Sequence, residues 1–196
     1  MDIDGFWVLI EESGRAAKTK KKRLAWLDAH LRERTAEEIV DFQMWLDVVQ
    51  TQAATWELWG AYFAVFGMGS DDGFEYFRRW LQGLGRETFE RVVADPDSLI
   101  EVPELLRLLA RKGCRWTNEE WPEFEQLSYV AWDPYKAMTG LEIEHLFSQV
   151  GARGVATNSS ELRGEQWTID SWDDMRHRFP RIARYWEGRS DKGGSK

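Results

Sequence analysis

Side chains able to do chemistry are sparse in this sequence. The densest group is Gly67-Met68-Gly69-Ser70-Asp71-Asp72-Gly73, where two carboxylates follow a glycine-bearing turn. Adjacent carboxylates suit general-base work or a hard cation, which prefers oxygen ligands. The segment lacks the spaced ligands and bidentate Glu of a calcium loop, and it lacks the preceding strand and Lys-Ser/Thr pair of a nucleotide-binding loop. Two acidic residues there would also repel a phosphate at the helix N-terminus. The plainer reading is a tight interhelical turn with acidic caps. His30, His145 and His177 are scattered, with no second His or Cys at ligand spacing, so no metal and no cofactor is expected. Cys114 beside Arg111, Lys112 and Arg115 has charge neighbours that favour a thiolate, yet it reads as an ordinary loop cysteine. No serine occupies a nucleophile elbow, and no catalytic residue is assigned.

Aromatic residues are the other resource: 12 Trp, 10 Phe and 5 Tyr, or 14% of the chain. Trp56 and Trp59 are one helical turn apart, a spacing that marks core positions first and a pocket wall second. The expected binding set lies around the 67–73 loop. Trp56, Trp59 and Trp80 would supply its walls, and Asp71, Asp72 and Arg86 its polar selectivity.

The elements that must position these groups read as helices almost throughout. Ile3, Phe6, Trp7 and Ile10 share one helical face, with Asp2 or Asp4 as the cap. Leu24, Leu27 and Leu31 follow the basic run Lys18 to Arg23, which reads as a solvated face. Thr35 and Glu38 have capping-box spacing ahead of Ile39, Phe42, Leu46 and Val49. Trp56 to Phe66 is apolar on several sides and is expected to be central. Ser70 caps the next helix, which carries Phe74, Phe77 and Leu81 on one stripe, with Glu75 pairing Arg78 or Arg79 on the polar face. Arg86 to Ala94 and Ile100 to Leu109 are further helices around the turn at Pro96. A helix starting at Pro122 is predicted to run through Met138, kinked at Pro134, and to stop at Gly140. Ile143 to Val150 and Gln166 to Ile169 are weak strand candidates. Residues 151–166 read as a loop, with order returning at Asp170, a helix capped by Ser171 and a disordered tail from Gly188.

Composition bounds the class. With 26 basic and 34 acidic residues in 196, the formal charge is −8. An acidic balance argues against a nucleic-acid binder, and 31% charged residues with no apolar run near the spanning length argue against a membrane protein. One cysteine and no basic leader at Met1-Asp2-Ile3-Asp4 point to the cytoplasm. The expectation is a mainly α, irregular multi-helix bundle with a C-terminal loop and amphipathic helix. Residues 1–140 form the helical domain, 141–187 a docked extension and 188–196 a tail.

One stretch carries a resemblance. Trp56-Glu57-Leu58-Trp59-Gly60-Ala61-Tyr62, Gly69-Ser70-Asp71-Asp72-Gly73-Phe74, Phe77-Arg78-Arg79-Trp80-Leu81, Gly85-Arg86 and Ala94-Asp95-Pro96-Asp97-Ser98-Leu99 resemble a bacterial family called domain of unknown function 4240. Asp4-Gly5-Phe6-Trp7 and the segment Tyr129 to Gly140 extend it over most of residues 1–140. Gly69 stands where members commonly have Cys, which puts a thiol-dependent role there in doubt, and Pro134 interrupts a helix that usually lacks it. The resemblance implies an intracellular helical domain and carries no activity.

The functional expectation is a non-enzymatic module that binds a protein, peptide or small ligand near the 67–73 loop. The alternatives are an enzyme using Asp71 or Asp72 as general base or cation ligand, with Arg86 steadying an anion, and an accessory or immunity-like protein with one cognate partner.

Overall fold

The computed structural model describes residues 1–155, 161–166 and 171–193, with side chains through residue 189. Among them the architecture is all-helical, and no helix is long and apolar enough to cross a membrane. The caps expected at Asp2, Thr35, Ser70 and Ser171 form, and Thr19 is a further one. Asp2 accepts from the Gly5 amide ahead of α1 (Ile3–Ala16), and Thr19 from the Lys22 amide ahead of α2 (Lys20–Leu31). Thr35 and Glu38 form a reciprocal capping box at α3 (Ala36–Gln52). Each cap satisfies an amide with no partner inside its helix, worth about 1 kcal/mol. α4 (Trp56–Phe66) stops at Gly67, whose φ of 68° is the left-handed conformation glycine adopts without a Cβ clash. Ser70 caps α5 (Asp71–Gly83), and α6 (Arg86–Ala94) follows.

The prolines divide the next stretch more finely than its apolar spacing suggests. The single helix expected over Ile100 to Leu109 is a 3-10 turn, Pro96–Glu101, followed by α7 (Pro103–Leu109), because Val102 before Pro103 takes an extended conformation. Of the helix expected from Pro122 only the second half forms, and it stops at Gly140 as expected. A 3-10 turn at Glu125–Tyr129 precedes α8 (Trp132–Thr139), and Pro134 lies in the first turn of α8, where its missing N–H costs nothing. The strand candidate at Ile143 is α9 (Ile143–Ala152): Ile143, Leu146, Phe147 and Val150 fall at i, i+3, i+4 and i+7, a helical period, and Leu146 and Val150 are buried. Residues 167–169 of the other strand candidate, Asp170 and most of the expected loop, 156–160, lie outside the described residues. Arg163, within that loop, is anchored. Its amide donates to the Ala54 carbonyl at 2.9 Å, and its guanidinium donates to the carbonyls of Thr51 and Gln52 at the end of α3.

The core gathers around α5, which packs on α1, α3, α6 and the 125–129 turn. Phe74, Phe77, Trp80 and Leu81 are buried there, with the Phe77 ring 4.9 Å from that of Tyr62 and 5.7 Å from that of Trp80. Arg78 and Arg79 are a correction to the expected polar face: they are only 5% and 3% exposed, and neither forms an ion pair with Glu75. Arg79 reaches across to α3, donating from Nη2 to Asp47 at 2.7 Å and from Nη1 to the Leu46 carbonyl at 2.5 Å, while Nε donates to Ser128 at 2.9 Å. Burial weakens the hold of this guanidinium on its proton, and the Asp47 carboxylate works against that loss.

The C-terminal segment docks by two devices. α10 (Trp172–Arg178), capped by Ser171, meets α11 (Pro180–Gly193) at Phe179-Pro180, where one expected helix becomes two. Asp97, in the 96–101 turn, accepts from the backbone amides of Arg181 and Ile182 and from Arg181 Nε, so a carboxylate from a remote element caps α11. Phe179, Ile182 and Ala183 are buried beneath it, and the Trp186 indole donates to the Ala64 carbonyl at 3.2 Å. The backbone of residues 188–193 continues as helix where a tail is expected, and residues 194–196 lie outside the described residues.

Removing one partner of a buried pair leaves a desolvated charge, so Asp47→Ala should lower stability by about 3–5 kcal/mol in a denaturant titration. Asp97→Ala should instead act locally. Hydrogen exchange is expected to lose protection over residues 180–189 while the amides of α5 stay protected, and unchanged protection of α11 would contradict the capping role.

Candidate functional site

Part of the 67–73 loop borders a cleft. Met68, Gly69, Ser70 and Gly73 form one side of a cleft of about 740 Å³, within the range of small-ligand sites. Behind them stand Tyr62 and Phe66 from α4, placed by the helix period on the face toward α5. The opposite side comes from Arg111 to Cys114, Trp116 and Trp121 after α7, and α11 contributes Trp186 and Arg189. The aromatic walls touch one another. Phe66 and Trp116 meet edge-on at 6.4 Å, and Trp116 and Trp121 at 4.7 Å. Trp116 is held by its indole N–H, which donates to the Leu108 carbonyl at 2.9 Å.

Local folding of this far wall does not come from a regular helix. Thr117 and Glu120 have capping-box spacing and use it to close a turn: the Thr117 amide and hydroxyl both donate to Glu120, at 3.0 and 3.1 Å. Arg111 donates to the same carboxylate at 2.6 Å, and these bonds hold Glu120 down at about 2, Arg111 first. Lys20 Nζ donates to the carbonyls of Asn118 and Trp121 at 2.9 and 2.8 Å, and the Phe124 amide donates to the Tyr76 carbonyl. The wall is therefore fastened to α2 and α5 by backbone carbonyls rather than by its own helical ladder.

Polar groups converge at the floor. A Cβ on Gly73 would meet the Tyr62 hydroxyl at 3.0 Å, Ser70 Oγ at 3.1 Å and Glu123 Oε1 at 3.8 Å, so these side chains crowd the glycine and would have to shift to admit a larger residue. The Tyr62 phenol is pushed up to about 12, by burial and then by the Glu123 charge. Burial likewise raises Glu123, with Lys20 opposing it. At the rim, Lys112 makes no ion pair among the described residues, and Arg189 lies over the Tyr185 ring at 5.6 Å. The result is an aromatic trough with a positive rim and one carboxylate at its base. Among the described residues, no group of three His, Cys, Asp or Glu could hold a metal ion.

The six residues expected from sequence do not come together. Trp59 supports the cleft from behind, its ring edge-on to Phe74 at 5.1 Å and next to Gly69. Trp56 opens α4, its amide donating to the Arg163 carbonyl at 3.0 Å, and Trp80 is buried against Phe77. Asp71 and Asp72 are exposed in the first turn of α5 and do not line the cleft. Arg86 is elsewhere, donating to Asp4 at 2.6 Å and Glu90 at 2.7 Å. Tyr62, Phe66, Trp116, Trp121 and Glu123 were not singled out as a set. The one signal available was the pairing of a basic Arg-Lys-x-x-Arg loop with two tryptophans close after it.

The Arg111 contact gives a pH prediction. A carboxyl held low in the folded chain stabilises it above the ordinary value of 4.5 and loses that contribution as pH falls toward about 2. Arg111→Gln should therefore move the Glu120 titration, followed by carbon-13 NMR, up toward 4.5, and an unmoved midpoint would exclude Arg111 as its main cause.

No curated protein and no solved structure matches the chain. Residues 1–137 match the profile of a family described as Protein of unknown function (DUF4240), and the chain, matched over most of its length, belongs to that family.

Proposed function

We propose that the protein is a non-enzymatic binding module of the bacterial cytoplasm and that its ligand lies in the cleft between the 67–73 loop and the 111–123 wall. The observation that carries this reading is the aromatic trough itself. Five large rings, those of Tyr62, Phe66, Trp116, Trp121 and Trp186, border a space of about 740 Å³. Such walls favour an apolar or aromatic body, and Lys112 and Arg189 at the rim favour a negative end. The occupant of this description is a small acidic aromatic ligand or a short peptide with an aromatic anchor and an acidic neighbour.

An enzyme would need its carboxylates to converge on a reacting atom. Asp71 and Asp72 point to no such convergence, since both are exposed at the start of α5 and Arg86 is engaged with Asp4 and Glu90. No geometric observation favours that alternative.

The probe for the cleft is anilinonaphthalene sulfonate, an aromatic anion whose fluorescence rises in apolar surroundings. The full chain should bind it saturably, and Trp121→Ala should weaken binding about tenfold, as loss of an aromatic anchor of about 1.4 kcal/mol requires. Asp71→Asn with Asp72→Asn should leave it unchanged. Equal binding by the Trp121 variant would sink the assignment of this cleft.

A further inference from the structure

The floor of the aromatic cleft holds polar groups that the fold leaves without partners. Tyr62 is only 7% exposed, yet its hydroxyl makes no hydrogen bond among the described residues and is still reachable from solvent. The outer edge of its ring runs between Gly69 and Gly73, which line the cleft with it. The half-buried Glu123 carboxylate likewise accepts no hydrogen bond and forms no ion pair among the described residues. Lys20, whose charge acts on it, spends its ammonium on the carbonyls of Asn118 and Trp121. Ser70 Oγ accepts from the Gly73 amide at 3.1 Å, and its O–H donates to nothing among the described residues. Tyr62 Oη, Ser70 Oγ and Glu123 Oε1 all lie within 3.8 Å of the point where a Gly73 Cβ would stand, so the three are neighbours. A polar group is seldom buried without a partner, and this one opens on a space able to hold one.

The chemistry of the three groups describes an edge. Two hydroxyls can donate to one carbonyl oxygen, and the N-terminus of α5 beside them favours the same negative pole. A carboxylate only accepts, and its two oxygens match two adjacent N–H groups. Glu123 opposes an anion at the floor, whereas Lys112 and Arg189 favour one at the rim. The rings of Phe66, Trp116 and Trp121 in the same cleft are not fully buried, and Trp121 is 37% exposed, so a flat body has faces to stack on.

We propose, resting on the reading of this cleft as a binding site, that its ligand is a purine nucleotide with a guanine-type edge. Two adjacent N–H groups of the base donate to Glu123, the neighbouring carbonyl accepts from Tyr62 and Ser70, the ring stacks on the aromatic walls, and the phosphate meets Lys112 and Arg189.

The test uses the full chain, with calorimetry and displacement of anilinonaphthalene sulfonate by the monophosphates of guanosine, inosine and adenosine and by guanosine itself. The guanosine monophosphate should bind saturably and displace the dye. The inosine nucleotide, with one N–H in place of two, and guanosine, which lacks the phosphate, should each bind several-fold more weakly. The adenosine nucleotide, which has no carbonyl on that edge, should bind at least tenfold more weakly. Glu123→Gln should weaken the guanosine nucleotide about tenfold, and Tyr62→Phe, which keeps the ring in the core, several-fold, while both variants bind the dye as the parent does. Dye binding without nucleotide binding, equal affinity for the guanosine and adenosine nucleotides, or unaltered affinity in both variants overturns the proposal and leaves the cleft as a site for another ligand. Displacement of the dye by the dipeptide Asp-Phe but not by the guanosine nucleotide also overturns it and gives the cleft to peptides. Failure of both dye and nucleotide to bind removes the cleft as a site altogether.

Discussion

A single buried guanidinium sets the position of the helix on which the rest of the molecule is arranged. Arg79 is held by Asp47 and the Leu46 carbonyl of α3, by Gln82 of its own helix, and by Ser128 of the 125–129 turn. A charge taken out of water is tolerated only when most of its donors are met, and Arg79 meets four acceptors drawn from three elements. The same constraint fixes both of its flanks. With Arg79 anchored, the N-terminus of α5 must present the 67–73 loop beside α4, and Arg78, one residue earlier, must face the space between α3 and α8.

What sequence revealed of this, and what it hid, follows from the range of the interactions involved. Caps at Asp2, Thr35, Ser70 and Ser171 act within four residues and were legible because donor and acceptor are neighbours in the chain. The burial of Arg78 and Arg79 was not, since an Arg-Arg pair beside Glu75 has the local signature of a solvated face. Only Asp47, brought in from α3, reverses that reading. Residues 122–131 depart from the expected helix for the same reason. Their order depends on carbonyls answering Lys20 and on the bond from the Phe124 amide to Tyr76, and none of these partners is local. α9 is different: its helical period was present in Ile143, Leu146, Phe147 and Val150, and the error was one of pattern rather than of range. Of the aromatic cleft, the 67–73 loop could be found and the facing wall could not, because Phe66 and Trp116 meet only through the fold.

The charge distribution has an inside and an outside. The chain carries a formal charge of −8, yet Arg78 and Arg79 are buried, and basic groups border the aromatic cleft. An acidic chain with basic groups gathered beside one concavity has a field whose sign varies over its surface.

The family profile ends at residue 137, while Trp186 and Arg189, which complete one side of the aromatic cleft, lie beyond it on a helix fastened by Asp97. The fastening combines the backbone amides of Arg181 and Ile182 with the Arg181 guanidinium and the Trp186 indole, so α11 holds its place through particular side chains as well as through its backbone. One side of the cleft thus depends on residues outside the matched region, and similarity over residues 1–137 alone does not carry that side with it.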